Sequence, residues 1–375
     1  MLFAEIIGLN EIKESLLQAV KQNHLAHALL FHGPDGSGAL PLARALATYV
    51  NCEAPGESDA CGTCAACTKN RKLIHPDFHM VFPAYGKGND DEDSPSAAFI
   101  KEWRDMMLEH PFSTYDDWVL KLAANNKQLA ISVQEARHII RSLSLKPYEA
   151  PYKIMLIWLP EFMNQSAANA VLKVLEEPSY KTLFLLVCAQ PEKMLPTVLS
   201  RTQKIQVRAF SDEEIEHYLI QHHQIDATRA NKLAHLADGS LREANQLLFA
   251  AEDDDHQAVF RDWMRLCYTK GKFQDVFPFS DQLAALSREQ QKRFIQTGLE
   301  VLRECMLFNN GREDLLRMKD ADREFVSKFA KVLSDGSIDR FQQELNTAYY
   351  HIERNANAKI LFTDLTFTFK RIFQH

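Results

Sequence analysis

Apolar runs and helix-periodic stretches alternate along the first half of the chain. His27-Ala-Leu-Leu-Phe31 has the unbroken apolar character of a strand covered on both faces. It gives way to a turn-forming segment, Gly33-Pro-Asp-Gly-Ser-Gly38, and then to Leu40-Pro-Leu-Ala-Arg-Ala-Leu-Ala-Thr-Tyr-Val50. The last of these has helical spacing, with its proline in the first turn, where a missing N–H costs little. Lys153-Ile-Met-Leu-Ile-Trp158 repeats the strand signal, Gln165 to Glu177 predicts a helix with Ala168, Val171, Leu172 and Leu175 on one stripe, and Thr182 to Ala189 predicts a third strand. This repetition predicts an α/β fold built on a parallel sheet with helices on its faces. Beyond about Arg208 the strand signals stop. Ser211-Asp-Glu-Glu opens a helical segment with a hydroxyl cap and acids in the first turn, where the helix dipole favours them. An acidic break at Glu252-Asp-Asp-Asp-His256 precedes a second helical block, with Ile295, Leu299, Leu302 and Met306 on one face and Phe341, Leu345, Ala348 and Ile352 on another. The pattern divides the chain into an α/β core at 1–208, a small helical region at 209–252 and an all-α domain at 256–375.

Composition narrows the function. The 375 residues are 46% hydrophobic and 25% charged, with 13 Gly and 14 Pro, which fits folded domains and excludes a collagenous or largely disordered chain. A formal charge of -7, from 50 acidic against 43 basic residues, argues against a protein that coats nucleic acid by itself, since that needs a basic excess. Met1 to Gly8 has neither the basic start nor the apolar run of a signal peptide, and no stretch reaches the ~18–20 apolar residues of a membrane span; a cytoplasmic protein without membrane contact is expected. The segment Ala84 to Ser96, acidic and rich in turn formers, reads as a surface loop.

Two motifs carry chemistry. A phosphate loop of the form G-x-x-x-x-G-K-[ST] cradles phosphates with backbone N–H groups, meets the outer phosphates with its Lys and ligates magnesium through its hydroxyl. Gly33, Gly36 and Gly38 keep the glycines between a strand and a helix, but Ala39 stands where the Lys belongs and Leu40 where the hydroxyl belongs. The strand that would end in a magnesium-binding acid ends in Trp158, with the first acid at Glu161. The expectation is a vestigial nucleotide site that binds ATP weakly or not at all. The second motif is Cys52-x8-Cys61-x2-Cys64-x2-Cys67, enough thiolates to close a tetrahedral structural zinc site. An iron–sulfur cluster or unliganded core cysteines are the alternatives, and His75 and His79 lie near enough in sequence to be substitute ligands. Cys188, Cys267 and Cys305 sit in apolar surroundings and read as core.

Taken together, the strand, the Gly33–Gly38 loop, the four-cysteine insert, Asn169-Ala-Val-Leu-Lys-Val-Leu-Glu-Glu-Pro178 and Leu195-Pro-Thr-Val-Leu-Ser-Arg-Thr202 resemble the AAA+ subunits of the bacterial DNA polymerase III clamp loader. The likeness extends through Asp238-Gly-Ser-Leu-Arg-Glu-Ala244 and the helical third region, and the eroded phosphate loop beside an intact Ser-Arg element is similar to the delta-prime branch of that family. The resemblance implies an AAA+ core with a zinc insert, a helical lid and a C-terminal oligomerisation collar. It implies a non-hydrolysing stator that joins gamma/tau-type and delta-type subunits in a heteropentamer acting on a sliding clamp and primed DNA. Arg201 would be an arginine finger offered to a neighbour's ATP, Arg242 the second-domain sensor position, and Arg137 a contact to the DNA backbone. Where the family usually has Ser-Arg-Cys this chain has Thr202 after the arginine. The rival readings are an active gamma/tau-like ATPase with an atypical loop and a zinc-dependent single-strand binding module.

Overall fold

The computed structural model describes residues 1–86, 94–124, 127–249, 256–269, 271, 273–286, 288–312, 316, 320–354 and 356–373. Most of the acidic segment at 84–96 and the break at 252–255 thus lie outside the described residues. The chain divides into two compact units, Met1–Leu248 and Phe249–His375, so the core and the helices that follow it share one unit.

The first unit is built on α1 (Asn10–Lys21), β1 (Ala28–His32), α2 (Ala39–Val50), α3 (Ala65–Arg71), β2 (Phe78–Val81), α4 (Ile100–Glu109), α5 (Tyr115–Lys121) and α6 (Val133–Ser144). It continues through β3 (Lys153–Trp158), α7 (Gln165–Glu176), β4 (Thr182–Cys188), α8 (Pro196–Leu199), β5 (Gln203–Gln206), α9 (Asp212–His223), α10 (Ala227–Leu236) and α11 (Leu241–Phe249). Five strands form one sheet in the order β2-β3-β4-β1-β5. Every pairing is parallel, with Ala28 opposite Phe184 and Lys153 opposite Thr182. β3 and β4 are buried along their whole length, which is why their sequences are unbroken apolar runs rather than alternating ones. The two faces have separate cores: Leu29, Phe31, Ile154, Leu156, Leu183 and Leu185 face one side with α2, and Ala28, Leu30, Met155, Ile157, Phe184 and Leu186 face the other with α6 and α7. α2 is buried on all sides, as its alanine- and leucine-rich sequence demands. Ile215, Leu219, Ala230, Ala234, Leu241 and Ala244 from α9, α10 and α11 join the α2-side core.

The second unit is all helical: α12 (His256–Tyr268), α13 (Val276–Ala284), α14 (Arg288–Asn309), α15 (Asp320–Ala330), α16 (Asp335–Glu353) and α17 (Ala358–Ile372). Trp263, Phe294, Phe341, Phe362 and Phe369 form its aromatic centre, and the Trp263 indole N–H donates to Thr366 Oγ1 at 2.9 Å. No helix among the described residues is long and apolar enough to cross a membrane.

Candidate functional site

The glycine segment connects β1 to α2 at the carboxyl edge of the sheet, where parallel α/β sheets hold their ligands. Gly36 has φ +75°, a left-handed conformation that disfavours side chains, and a Cβ there would stand 2.0 Å from Ser240 Oγ. At Gly33 a Cβ would meet the Val207 carbonyl oxygen at 2.2 Å, so close passage of the chain after β5 requires glycine. The cleft over this turn holds about 40 Å³ and is walled by Pro111 to Thr114, Trp158, Leu159 and the end of β4. Sites for small organic ligands run to ~300–1,000 Å³, so this cleft is small by comparison. Ala39 and Leu40 are 6% and 5% exposed, packed where a phosphate-binding loop would present its Lys and hydroxyl. Trp158, 2% exposed, turns its indole into the core against Trp103.

Segment 240–246 packs against the glycine turn at Gly36. The Leu241 N–H donates to the Gly36 carbonyl at 3.2 Å, and the Arg242 guanidinium grips Asp117 with two hydrogen bonds of 2.6 and 2.7 Å. Asp117 is itself held, because it caps α5 by accepting from the Thr114 N–H at 2.8 Å and from its hydroxyl at 3.1 Å. Burial works to push the Asp117 carboxyl up, but Arg242 and the Thr114 donors outweigh it and hold the group below the usual carboxylate range. Around the loop the charge is adverse to phosphate. Desolvation pushes the Asp35 carboxyl up, and the negative charge of Asp116 adds to it. Glu161, also pushed up by burial, feels Asp35 and accepts from the Ala189 and Gln190 N–H groups at 2.9 and 3.2 Å. Asp117 escapes a search for catalytic motifs, since it lies inside none, whereas Glu161 is the displaced acid after β3. The signal for Asp117 was the Thr114-x-x-Asp117 capping pattern that opens α5.

The four cysteines converge as their spacing predicts: the Sγ atoms of Cys52, Cys61, Cys64 and Cys67 lie within 4.8 Å of one another. The Cys61–Cys67 sulfur separation of 3.9 Å matches the ~3.8 Å edge of a tetrahedron with metal–sulfur bonds of ~2.3 Å. Backbone N–H groups donate to the sulfurs: Cys61 to Cys52, Cys64 to Cys61 and Cys67 to Cys64, at 3.3, 3.3 and 3.4 Å. Such bonds from Thr63 and Cys64 draw the Cys61 thiol down to about 6, while burial pushes Cys52 and Cys67 up. The donor set and geometry could hold a metal ion with soft-ligand preference, zinc among them. His75 and His79 are outside this cluster. His75 accepts from the Asp77 N–H at 3.1 Å and faces Glu149 at 3.4 Å, and burial takes His79 down to about 4. The cysteine loop also secures the start of the chain, since Asp59 accepts from the N–H groups of Phe3 and Ala4 at 3.1 and 2.8 Å.

Arg201 lies after α8, its side chain 30% exposed and resting on Glu176 at the end of α7. Nη2 and Nε reach one carboxylate oxygen at 3.1 and 3.3 Å, and Nη1 donates to the Thr197 carbonyl at 2.9 Å. Glu176 was not singled out in the sequence, although the Glu-Glu-Pro stretch contains it. Arg137 is exposed on α6. The structure therefore brings together the glycines with Arg242, and the cysteines with one another.

The family described as DNA polymerase III, delta subunit, matches residues 8–211. A delta-prime subunit of Bacillus subtilis is 26% identical over 314 residues, 82% of this chain and 80% of the relative. One from Pseudomonas aeruginosa is 30% identical over 47% of this chain and 41% of the relative. The DNA polymerase III subunit tau of Salmonella typhimurium is 28% identical over 65% of this chain, and the chain spans only 32% of that relative's length. A gamma-subunit-related protein of Thermotoga maritima overlays 96% of this chain at 15% identity with a TM-score of 0.38. The chain belongs to the DNA polymerase III delta-subunit family and is of the delta-prime type.

Proposed function

We propose that this chain is a non-hydrolysing clamp-loader subunit that assembles with tau/gamma-type and delta-type subunits and offers Arg201 to the nucleotide of a neighbour. The observation that carries the reading is the closed phosphate loop. Its cleft holds about 40 Å³, its lysine position is Ala39, and the arginine that could have met an outer phosphate is bound to Asp117. Against an ATPase of its own stand the absence of the loop lysine and hydroxyl and of an acid at the end of β3. Arg201 differs because it is accessible and pairs with one exposed carboxylate. Such surface pairs contribute ~0–1 kcal/mol, less than the ~1.5–3 kcal/mol of a hydrogen bond to a charged group. Little energy therefore opposes exchange of Glu176 for a phosphoryl oxygen.

In this reading α9, α10 and α11 act as the lid at 209–252, the helices of 256–375 form the collar, and the cysteine cluster takes structural zinc. Arg137 contributes to a DNA-backbone contact made chiefly by the assembled ring, which suits a chain of charge -7. The test is a loader reconstituted with Arg201→Ala. Assembly should be unchanged on gel filtration, and DNA-stimulated ATPase should fall by ~10²-fold or more at the site this subunit faces. Arg201→Lys should recover little, because Lys lacks the planar fork. Unchanged ATPase and clamp loading with Arg201→Ala would reject the assignment.

A further inference from the structure

The second unit contains a groove of about 300 Å³, at the lower end of the range that holds ligands. It runs between α12 and α15, which both pack against α14. α12 lines it with Arg261, Met264, Arg265 and Tyr268, spaced i, i+3, i+4 and i+7, so one helical face points inward. From the other side come Phe325, Lys328 and Phe329 of α15, with Val332 from the turn that follows it. The floor is apolar, with Met264 and Phe329 buried at 2% and 7%, and two apolar side chains stand at the rim, Tyr268 at 58% and Val332 at 47% exposure.

Charge is distributed unevenly around that floor. Arg261, Arg265 and Lys328 line the groove against a single lining acid, Glu324. The ion pairs of Arg265 with Asp262, 3.2 Å, and of Lys328 with Glu324, 2.6 Å, are between exposed side chains on one helix and are exchanged at little cost. An apolar floor between cationic banks, with its lining at helical spacing, has the form that accepts the apolar face of an amphipathic helix. Its charge selects an acidic one.

We propose that the groove between α12 and α15 docks an acidic amphipathic helix of a partner protein, its apolar anchors over Met264 and Phe329 and its carboxylates against Arg265 and Lys328. The inference rests on this unit's own geometry and is independent of the role of Arg201.

The test uses the full chain and a fluorescein-labelled synthetic helix with Leu at i, i+3, i+4 and i+7 and Glu on its flanks, read by fluorescence anisotropy. Two control peptides carry Lys in place of Glu, or Ala in place of Leu. The Glu/Leu peptide should bind at least about tenfold tighter than either control and weaken as salt rises. Arg265→Glu with Lys328→Glu should weaken it by about tenfold or more and improve the Lys peptide, with the helical circular dichroism unchanged. Val332→Asp, at the exposed rim, should weaken both charged peptides. Equal binding of the Glu and Lys peptides, or no effect of the double reversal, would overturn the proposal. So would concentration-dependent self-association abolished by Val332→Asp, since the occupant would then be a second copy of this chain.

Discussion

The Arg242–Asp117 pair lies beside the Gly36 turn, and its contribution to stability follows from its burial and geometry. Both side chains are about one-fifth exposed, 18% and 19%, and the bond is bidentate. Breaking a fully buried pair costs ~3–5 kcal/mol, and partial solvation here lowers that to about 2–3 kcal/mol. Asp117→Ala also removes the cap of α5, worth ~1 kcal/mol, so the expected loss is about 3–4 kcal/mol. For a unit the size of Met1–Leu248 this is a fall in Tm of about 6–15 °C.

Asp117→Asn separates the two contributions, because the amide oxygen still accepts from Thr114 while the charge is gone. The assay is urea unfolding followed by tryptophan fluorescence, to which Trp103, Trp118 and Trp158 of this unit contribute, with a double-mutant cycle against Arg242→Ala. A coupling energy of about 1.5 kcal/mol or more is expected. The pH dependence has a definite sign. The Asp117 carboxyl titrates below its unfolded value, so the pair's contribution is complete above about pH 4 and is lost as pH falls through the lower folded value. The difference between the native chain and Asp117→Asn should be flat from pH 5 to 8 and shrink in acid. A coupling energy below ~0.5 kcal/mol, or a difference that grows on acidification, would refute the clamp.

Three further outcomes follow from the geometry. Restoring the loop chemistry with Ala39→Lys and Leu40→Thr should leave ATP affinity weaker than ~1 mM by calorimetry, because Asp35, Asp117 and the closed cleft remain; micromolar binding would contradict this. With the proposed metal bound at the cysteine cluster, chelation should lower hydrogen-exchange protection of the Phe3, Ala4, Cys61, Cys64 and Cys67 amides by on the order of a hundredfold, and unchanged exchange would sever the link from the sulfurs through Asp59 to the start of the chain. Glu135, 0% exposed and bonded by the Ser96 hydroxyl at 2.9 Å, is pushed up by burial, so its favourable contribution is complete below its unfolded value and is lost as pH rises through the folded one; Glu135→Gln should gain stability over the native chain at pH 8 and lose that gain near pH 4.

The sequence is legible where burial is complete. Lys153–Trp158 was read with the bounds the structure has, and β1, α2, α7 and β4 within one residue at either end, because each is apolar over its length or along a clear stripe. Two strands were not legible. β5, Gln203-Lys-Ile-Gln206, is an edge strand whose side chains are mostly exposed, so nothing in its pattern marks it. β2 is four residues long with His79 inside it, too short for a periodicity. The site divides in the same way. Cysteine spacing is local, and the four sulfurs meet as read. The partners of Arg242 and Arg201 are 125 and 25 residues away in sequence, and no local pattern joins them.

The two arginines differ in what it costs to move them. Arg242 is held by both oxygens of a carboxylate that is itself fixed as a helix cap, at a cost of about 2–3 kcal/mol to release into a cleft rimmed by Asp35 and Asp116. The positions that in a phosphate loop carry the lysine and hydroxyl to share a phosphate's charge are Ala39 and Leu40. Arg201 is held at the surface by one oxygen of Glu176, a contact worth ~0–1 kcal/mol, and by the Thr197 carbonyl. The difference in how firmly the two arginines are held follows from burial and from the hydrogen bonds gathered at two carboxylates.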